Sequence, residues 1–596
     1  MKPEKIAPGL INALEQYQQQ GEKGLNLHLR SLGIINDPKT AKPALASVFI
    51  RCAENANLDR LKEYGVQVKQ SRGKIRTAFV PLKNIGRLSE ESAIARITPS
   101  RYLKPLLDVA TTTIGLPNFQ VKTKLTGKGV IIGIIDSGID TTHPAFTNRI
   151  LRIWDHTLPN DGNTEYPEGL ELTGDLPKGI LAMSRDHTGH GTHIAGIAAG
   201  NHHAFTGVAP KADLVIVKAG LNTYIADAID YIFRVADELQ RPAVVNLSLG
   251  DHYNAHDGSD PLSSFIDQES GPGKIVCCAA GNEGNVDIHA ETIVQQNQQA
   301  CLRFLIPASI CSAPHRWRAE LNGWYASNDN IEVAVQSPEG SRTHFQSIGD
   351  NGYSQQTYHL SGAKVQIIMY GPENTDNGEH WFNIEISHDP TSVSIASGNT
   401  GTWRLLLNGV TINNGRVNIW SGENKKGFDV IFTGGSVQDF IKIGSPGAAG
   451  RAITVGSYTA RLSWQDVEKN WQKVGLDLDT ISEFSSPGPL RNGIQKPDVV
   501  APGAMIVSAL SSTSNCSSMM QVDEFHRVMA GTSMATPFIT GLVALLLERE
   551  PELTPEEIKQ RLRSSSFIPG KPAGSFDPKW GFGLINADKL LYSNQE

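Results

Sequence analysis

Several stretches of this chain are apolar without alternation. Val130-Ile131-Ile132-Gly133-Ile134-Ile135-Asp136 and Lys274-Ile275-Val276-Cys277-Cys278-Ala279-Ala280 are β-branched or small and show no polar face. Runs of this kind predict strands buried on both sides, as in a parallel sheet covered by helices. Gly207–Ala212 leads into another such strand, Asp213–Lys218. Ile194–Gly200 and Phe538–Leu547 are richer in Ala, Gly and Leu and predict buried helices. Between about Ala300 and Lys442 the pattern changes to alternation. Trp317–Leu321, Ile331–Val335, Val365–Tyr370, Trp381–Ile386 and Gly401–Asn408 read as strands separated by turn signals such as Pro338-Glu339-Gly340 and Asn413-Asn414-Gly415. Regular short strands of this type predict a sandwich or jelly roll.

The N-terminal hundred residues follow a third pattern. Ala46–Arg51 alternates as a strand, and Asn57–Tyr64 is helical with Leu58 and Leu61 on one face. Val66–Gln70 and Lys74–Pro81 flank Ser71-Arg72-Gly73 as a hairpin. Leu82–Glu90 reads as a second helix and Ile94–Thr98 as a last strand. The order β-α-β-β-α-β is the ferredoxin-like arrangement. Residues 1–40 read as an additional amphipathic helical arm.

Candidate chemistry sits at the ends of the buried runs. Asp136 closes a strand and is followed by Ser137-Gly138, and catalytic groups of open α/β sheets gather at that end. His190, in Asp186-His187-Thr188-Gly189-His190-Gly191-Thr192-His193, opens an Ala/Gly/Ile helix. Ser533, in Gly531-Thr532-Ser533-Met534-Ala535-Thr536-Pro537, lies in the first turn of the other apolar helix, where unpaired backbone N–H groups favour negative charge. These are the parts of an acyl-transfer triad: a serine nucleophile, a histidine that moves its proton, and an aspartate that orients the imidazole.

The three local sequences together resemble those of the subtilase (subtilisin-like) family of serine peptidases, which carry Asp-Ser/Thr-Gly, His-Gly-Thr-His and Gly-Thr-Ser-Met-Ala. The resemblance implies a subtilisin-like parallel sheet with helices on both faces and a serine endopeptidase using Asp136, His190 and Ser533. It assigns the oxyanion hole to Asn282, in Ala279-Ala280-Gly281-Asn282-Glu283-Gly284, and substrate binding to Ser248, Leu249, Gly250, Ala280 and Gly281. Phe484–Pro489 and Lys496–Gly503 match loops that precede the family's serine. The N-terminal segment resembles the inhibitory propeptides of subtilases. An insertion between Asn282 and Ser533 resembles the clostridial Csp-like branch. The implied division is 1–104 as arm and propeptide-like inhibitor, 105–299 and 443–596 as the two parts of the catalytic domain, and 300–442 as the inserted jelly-roll-like domain. Two other functions remain open at this stage: a catalytically idle peptide-binding protein, and an acyl-transferring macrocyclase on the same scaffold.

Composition adjusts this picture in a few places. The chain has 596 residues, enough for several domains, with 39% hydrophobic and 19% charged residues. Residues 1–110 hold 18 Lys and Arg against 10 Asp and Glu, leaving 36 against 51 in the remainder. The basic residues are dispersed rather than clustered, so no nucleic-acid partner is expected, and a basic inhibitor facing an acidic enzyme is electrostatically sensible. No run is long enough for a membrane span, and no secretory signal is visible, so a cytoplasmic location is expected, with non-classical export open. Cys277 and Cys278 share a strand and point to opposite faces, and Cys301 could pair with Cys311. Free thiols fit a reducing compartment. The spacing of His187, His190 and His193 lacks the zinc-protease pattern, and His187 and His193 are expected to be structural or to line the pocket. No cofactor is required by the chemistry. Arg152–Arg185 reads as a long acidic loop whose Asp155, Asp161, Glu165, Glu168, Glu171 and Asp175 could hold structural calcium but lack an EF-hand spacing.

Overall fold

The strands Ile131–Asp136, Ala243–Leu247 and Lys274–Ala279 lie side by side and parallel at the centre of an eleven-stranded sheet in a computed structural model of the chain. The structure describes residues 1–2, 5–6, 10, 14, 17–18, 34–35, 44–53, 55–68, 75–99, 108–159, 169–173, 183–202, 205–219, 222–307, 318–360, 362–388, 400–422 and 430–591. They form two units, Met1–Pro105 and Leu106–Glu596.

In the larger unit the sheet continues outward in parallel on both sides. Ile453–Thr459, Val499–Pro502 and Leu584–Ile585 follow on one side, and Asp213–Lys218 and Ile150–Asp155 on the other. Side chains alternate between two cores, as strand geometry requires. Ile132, Ile134 and Cys277 enter the core that also holds the helices His190–Ala199 and Thr532–Arg549. Ile131, Ile135 and Cys278 enter the core under the helices Asn222–Glu238 and Pro261–Glu269. Burial on both faces explains why these strands show no alternation. The helix Thr532–Arg549 is buried along Thr532–Leu547, so it too lacks a polar stripe. The fold is α/β.

The segment read as a loop from Arg152 to Arg185 is partly sheet. It begins inside the strand Ile150–Asp155, and Leu170–Thr173 pairs antiparallel with that strand as an edge. Arg152 and Tyr231 both reach Glu171, which fixes this short strand. Asp155 is engaged by Thr157 and Ser184. Asp161, Glu165, Glu168 and Asp175 lie outside the described residues.

Between Ala280 and Ile443 the chain builds two further sheets. One has six strands in the order His289–Ile293, Arg416–Ser421, Arg318–Tyr325, His380–His388, Ala363–Tyr370 and Tyr353–Leu360. The other has four, Asn330–Gln336, Gly401–Thr411, Gln299–Ile306 and Ile431–Thr433. Every neighbouring pair is antiparallel. Alternate residues of both sheets, among them Val365, Ile367, Phe304, Trp403 and Leu405, share one core. The first strand of this region, His289–Ile293, starts before residue 300. Asp329 closes its turn at 413–415 by accepting from the backbone of Asn413, Asn414 and Gly415 at 2.6, 2.9 and 2.7 Å.

In the smaller unit Ile94–Pro99, Leu45–Cys52, Ile75–Pro81 and Gln67–Val68 form an antiparallel sheet in that order, with Ile34–Ile35 paired to Leu45–Cys52. Asp59–Tyr64 is a 3₁₀ helix and Ile85–Glu90 an α-helix. Most of residues 1–40, the turn Ser71-Arg72-Gly73 and residues 100–107 lie outside the described residues. Ile6, Leu10 and Leu14, from the expected arm, are buried in this unit's own core.

Candidate active site

Asp136 is the last residue of its strand, and the turn after it receives the helix that starts at His190. The approach is close because residue 191 is glycine. A Cβ there would lie 2.2 Å from the Gly138 carbonyl oxygen, so no larger residue lets the helix seat. His190 Nδ1 consequently lies 2.8 Å from Asp136 Oδ1 and 3.0 Å from Oδ2. Asp136 Oδ1 also accepts from the Ser137 backbone N–H at 2.7 Å. Burial alone would lower the imidazole pKa. The Asp136 carboxylate, through charge and hydrogen bond, and Asp186 outweigh it, so His190 sits above its ordinary value of 6.5.

Asp186 is fully buried and holds the start of this helix. Its Oδ1 accepts from Gly189 N, Ser137 Oγ and Thr188 Oγ1, and its Oδ2 accepts from Thr192 N and Thr192 Oγ1. It satisfies the orphan donors of a helix start while tying that start to the Asp136 turn. Sequence reasoning passed over Asp186, although its place just before the glycine and histidine was a usable signal. His187 is exposed and is not among the residues lining the two cavities beside Ser533 and His190. His193 is fully buried, its Nε2 meets the carbonyl oxygens of Ile506 and Arg527, and burial takes its pKa to about 3. It is therefore a neutral structural residue.

Ser533 is the second residue of its helix and 8% exposed. A buried chain sets its position: Thr540 Oγ1 donates to Asn246 Oδ1, Asn246 Nδ2 to Ser248 Oγ, and Ser248 Oγ to the Ser533 carbonyl. Ser533 Oγ itself donates to the Ser248 carbonyl oxygen at 3.3 Å. No bond to His190 occurs among the described residues, and such contacts commonly tighten only when substrate binds.

Asn282 follows the strand Lys274–Ala279 and faces the same helix start. Its Oδ1 accepts from Thr532 N at 2.8 Å and Thr532 Oγ1 at 3.1 Å, which turns its Nδ2 donor outward. Gly531, with φ at +152°, precedes the helix. A Cβ there would stand 3.6 Å from both Asn282 Nδ2 and Ser533 N. Asn282 Nδ2 and Ser533 N thus lie near the same point, with Asn282 Oδ1 3.5 Å from it, all at ordinary contact distance. Beside it is a cavity of about 250 Å³ lined by Ser248, Leu249, Gly250, Ala280, Gly281 and Ser533, with Asp251, His252 and Glu283 also contributing. All five residues expected to bind substrate therefore border one cavity. Asp251, His252 and Glu283 were not anticipated, because what brings them together is packing across distant segments.

Comparison with known proteins agrees with this geometry. The sequence model of the subtilase family matches residues 127–310 and 338–583. The chain is 31% identical to the major intracellular serine protease of Bacillus subtilis over 42% of this chain and 71% of that protein. It is 35% identical to serine protease AprX of the same organism, over 27% of this chain and 34% of that one. It is 24% identical to the subtilisin-like protease SBT2.2 of Arabidopsis thaliana, over 82% of this chain and 63% of that one. It thus spans between a third and two thirds of the last two relatives. The solved CspB protease of Clostridium perfringens superposes with a TM-score of 0.66 at 24% identity, covering 82% of this chain and 99% of that one. With the family's sequence pattern running through most of its length, this chain belongs to the subtilase family.

Proposed function

We propose that the protein is a serine endopeptidase that cleaves protein or peptide substrates through an acyl-enzyme. The observation that carries this reading is that the Ser533 helix start and the Asn282 amide line one cavity, while the His190–Asp136 pair lines an adjoining one that shares the Ser248–Asp251 wall. Ser533 Oγ attacks the scissile carbonyl while His190 Nε2 takes its proton. The carbonyl oxygen, now negative, receives hydrogen bonds from Asn282 Nδ2 and Ser533 N. Asp136 holds the Nδ1–H tautomer and stabilises the imidazolium. His190 then gives its proton to the leaving amine, and water repeats the sequence to release the acid. The residue preceding the cut lies between Ser248–Gly250 and Ala280–Gly281. Every step runs on protein groups, so the chemistry calls for no cofactor.

The N-terminal unit acts in this reading as a propeptide-like inhibitor of ferredoxin-like form, and the inserted sheets as a jelly-roll-like accessory domain. We place the enzyme in the cytoplasm. Two relatives are named as intracellular serine proteases, from Bacillus subtilis and Paenibacillus polymyxa, and Cys277, Cys278, Cys301 and Cys516 are free thiols. The test is a fluorophosphonate probe with casein hydrolysis. Labelling at Ser533 with hydrolysis is the expected result. Absence of labelling would mark an idle peptide-binding protein, and cyclic products by mass spectrometry would mark a macrocyclase.

A further inference from the structure

A cavity of about 390 Å³ has Lys559, Gln560, Arg563 and Phe582 among its lining residues. Lys559 and Arg563 stand one turn apart on one face of the helix Pro555–Ser564. Both reach toward Asp498, which immediately precedes the strand Val499–Pro502. Asp136, by contrast, ends a strand that runs parallel to it in the same sheet. The cavity therefore lies at the edge of the sheet opposite the candidate active site.

Cations outnumber anions here. Asp498 is fully buried, and its Oδ2 accepts from Lys496 Nζ at 2.8 Å and Thr454 N at 2.9 Å. Its Oδ1 accepts from Arg563 Nη2 at 2.5 Å and lies 3.9 Å from Lys559 Nζ. One carboxylate thus faces three cations, Lys496, Lys559 and Arg563. Lys496 is fully engaged, because its ammonium also donates to the Ala452 carbonyl and to Thr454 Oγ1. Lys559 is not. Among the described hydrogen bonds its Nζ makes one, to the Gly450 carbonyl. Arg563 Nε is buried without a partner, and the guanidinium lies over the Phe582 ring at 4.5 Å. Glu556 is the acidic residue on the cavity rim, and its Oε1 is drawn to Arg451 Nε at 3.4 Å.

The Lys559 ammonium responds to this surplus. Burial first, and then repulsion from Lys496 and Arg563, bring its pKa down to about 7 against the pull of Asp498. An anion beside it would return that value toward the ordinary lysine range.

We propose that this cavity binds the phosphate group of a small molecule, held by Lys559 and Arg563. A phosphate carries about −1.5 to −2 charges at neutral pH and offers several acceptor oxygens. That matches three cations less one carboxylate, and it supplies acceptors for the unused Lys559 donors. A carboxylate would bring only one charge. The ammonium serves as a point charge and the guanidinium as a planar fork of donors. Gln560, whose amide makes none of the described hydrogen bonds, adds a donor on the exposed rim. Inorganic phosphate and a phosphate ester share this chemistry.

The test is independent of the endopeptidase reading. The full chain is titrated calorimetrically at pH 7 and constant ionic strength with inorganic phosphate, AMP and adenosine. One saturable site for a phosphate compound, and none for adenosine, is the expected result. AMP binding more tightly than inorganic phosphate would make the ligand an ester, and the reverse would make it the free anion. Lys559→Gln and Arg563→Gln should each weaken binding by roughly tenfold or more, since each removes a charge-assisted contact. Each variant is read only in protein that unfolds cooperatively on heating. Should neither fold, Gln560→Glu on the exposed rim decides, and its added negative charge should weaken binding. Three results would overturn the proposal: no millimolar binding of either phosphate compound, adenosine binding as tightly as AMP, or affinity unchanged in the folded variants.

Discussion

Ser533, Asn282 and His190 each depend on a different property of their surroundings, and each can be tested alone. Ser533→Ala removes the nucleophile while keeping a small residue in a buried helix start. Turnover should fall on the order of 10⁶-fold, the scale known from subtilisin itself, with thermal unfolding little changed. Casein hydrolysis by the mutant at the wild-type rate would end the proposed mechanism. Asn282→Leu loses the outward Nδ2 donor. The amide matters when the oxygen becomes negative, so kcat should drop by about 10²–10³, again a subtilisin figure, with KM nearly constant. An effect on KM alone would make Asn282 only an anchor for Thr532. His190 must be neutral to act as base. Its pKa is raised, so protonation persists to higher pH, and activity should climb with a midpoint above the ordinary value of about 6.5. His193 cannot supply that limb, because its pKa is about 3. A flat profile from pH 5 to 9 would exclude His190. At this scale the candidate site was largely legible, since each motif is local and carries its own glycine-bounded turn. Asp251, His252 and Glu283 were not, because Asp251 and His252 come from one segment and Glu283 from another.

The elements show where pattern reading succeeds and where it stops. Strands buried on both faces are apolar throughout and could be read directly, as Ile131–Asp136 and Lys274–Ala279 show. His289–Ile293 was missed because one of its two buried residues is a histidine, held by stacking on Trp420 and hydrogen bonds to Asn418 and Phe440. Leu170–Thr173 was hidden by its shortness and by polar sequence on either side. The same logic gives a prediction for the helix that carries His190. Asp186 satisfies five donors with no exposure to water. Asp186→Ala leaves buried N–H and O–H groups without an acceptor, at about 1–3 kcal/mol each, so a loss of at least about 3 kcal/mol of stability is expected. Denaturant unfolding measures it. A loss under about 1 kcal/mol would mean that the helix start is held by the Gly191–Gly138 contact alone.

The whole molecule poses the question of what the first unit does. It has its own core, including Ile50, Leu61, Val80, Leu88 and Ile97, so it can be expressed and tested by itself. Its sheet is antiparallel, with Ile94–Pro99 as the last strand in sequence. An extended peptide can add to a cleft edge as a strand, gaining affinity from backbone hydrogen bonds with little demand on sequence. Residues 1–110 carry 18 basic against 10 acidic residues, and the rest 36 against 51, so the two parts attract. The separate segment should therefore inhibit the remaining chain. Inhibition should weaken between low salt and about 1 M, where the Debye length falls to roughly 3 Å. Chains lacking the segment should refold poorly. Wild type, but not Ser533→Ala, should be cut between Ser100 and Val121, because only an active serine removes its own propeptide. A segment that inhibits at no salt concentration, beside a larger unit that refolds normally without it, would make the N-terminal unit an accessory domain with no role in inhibition or folding.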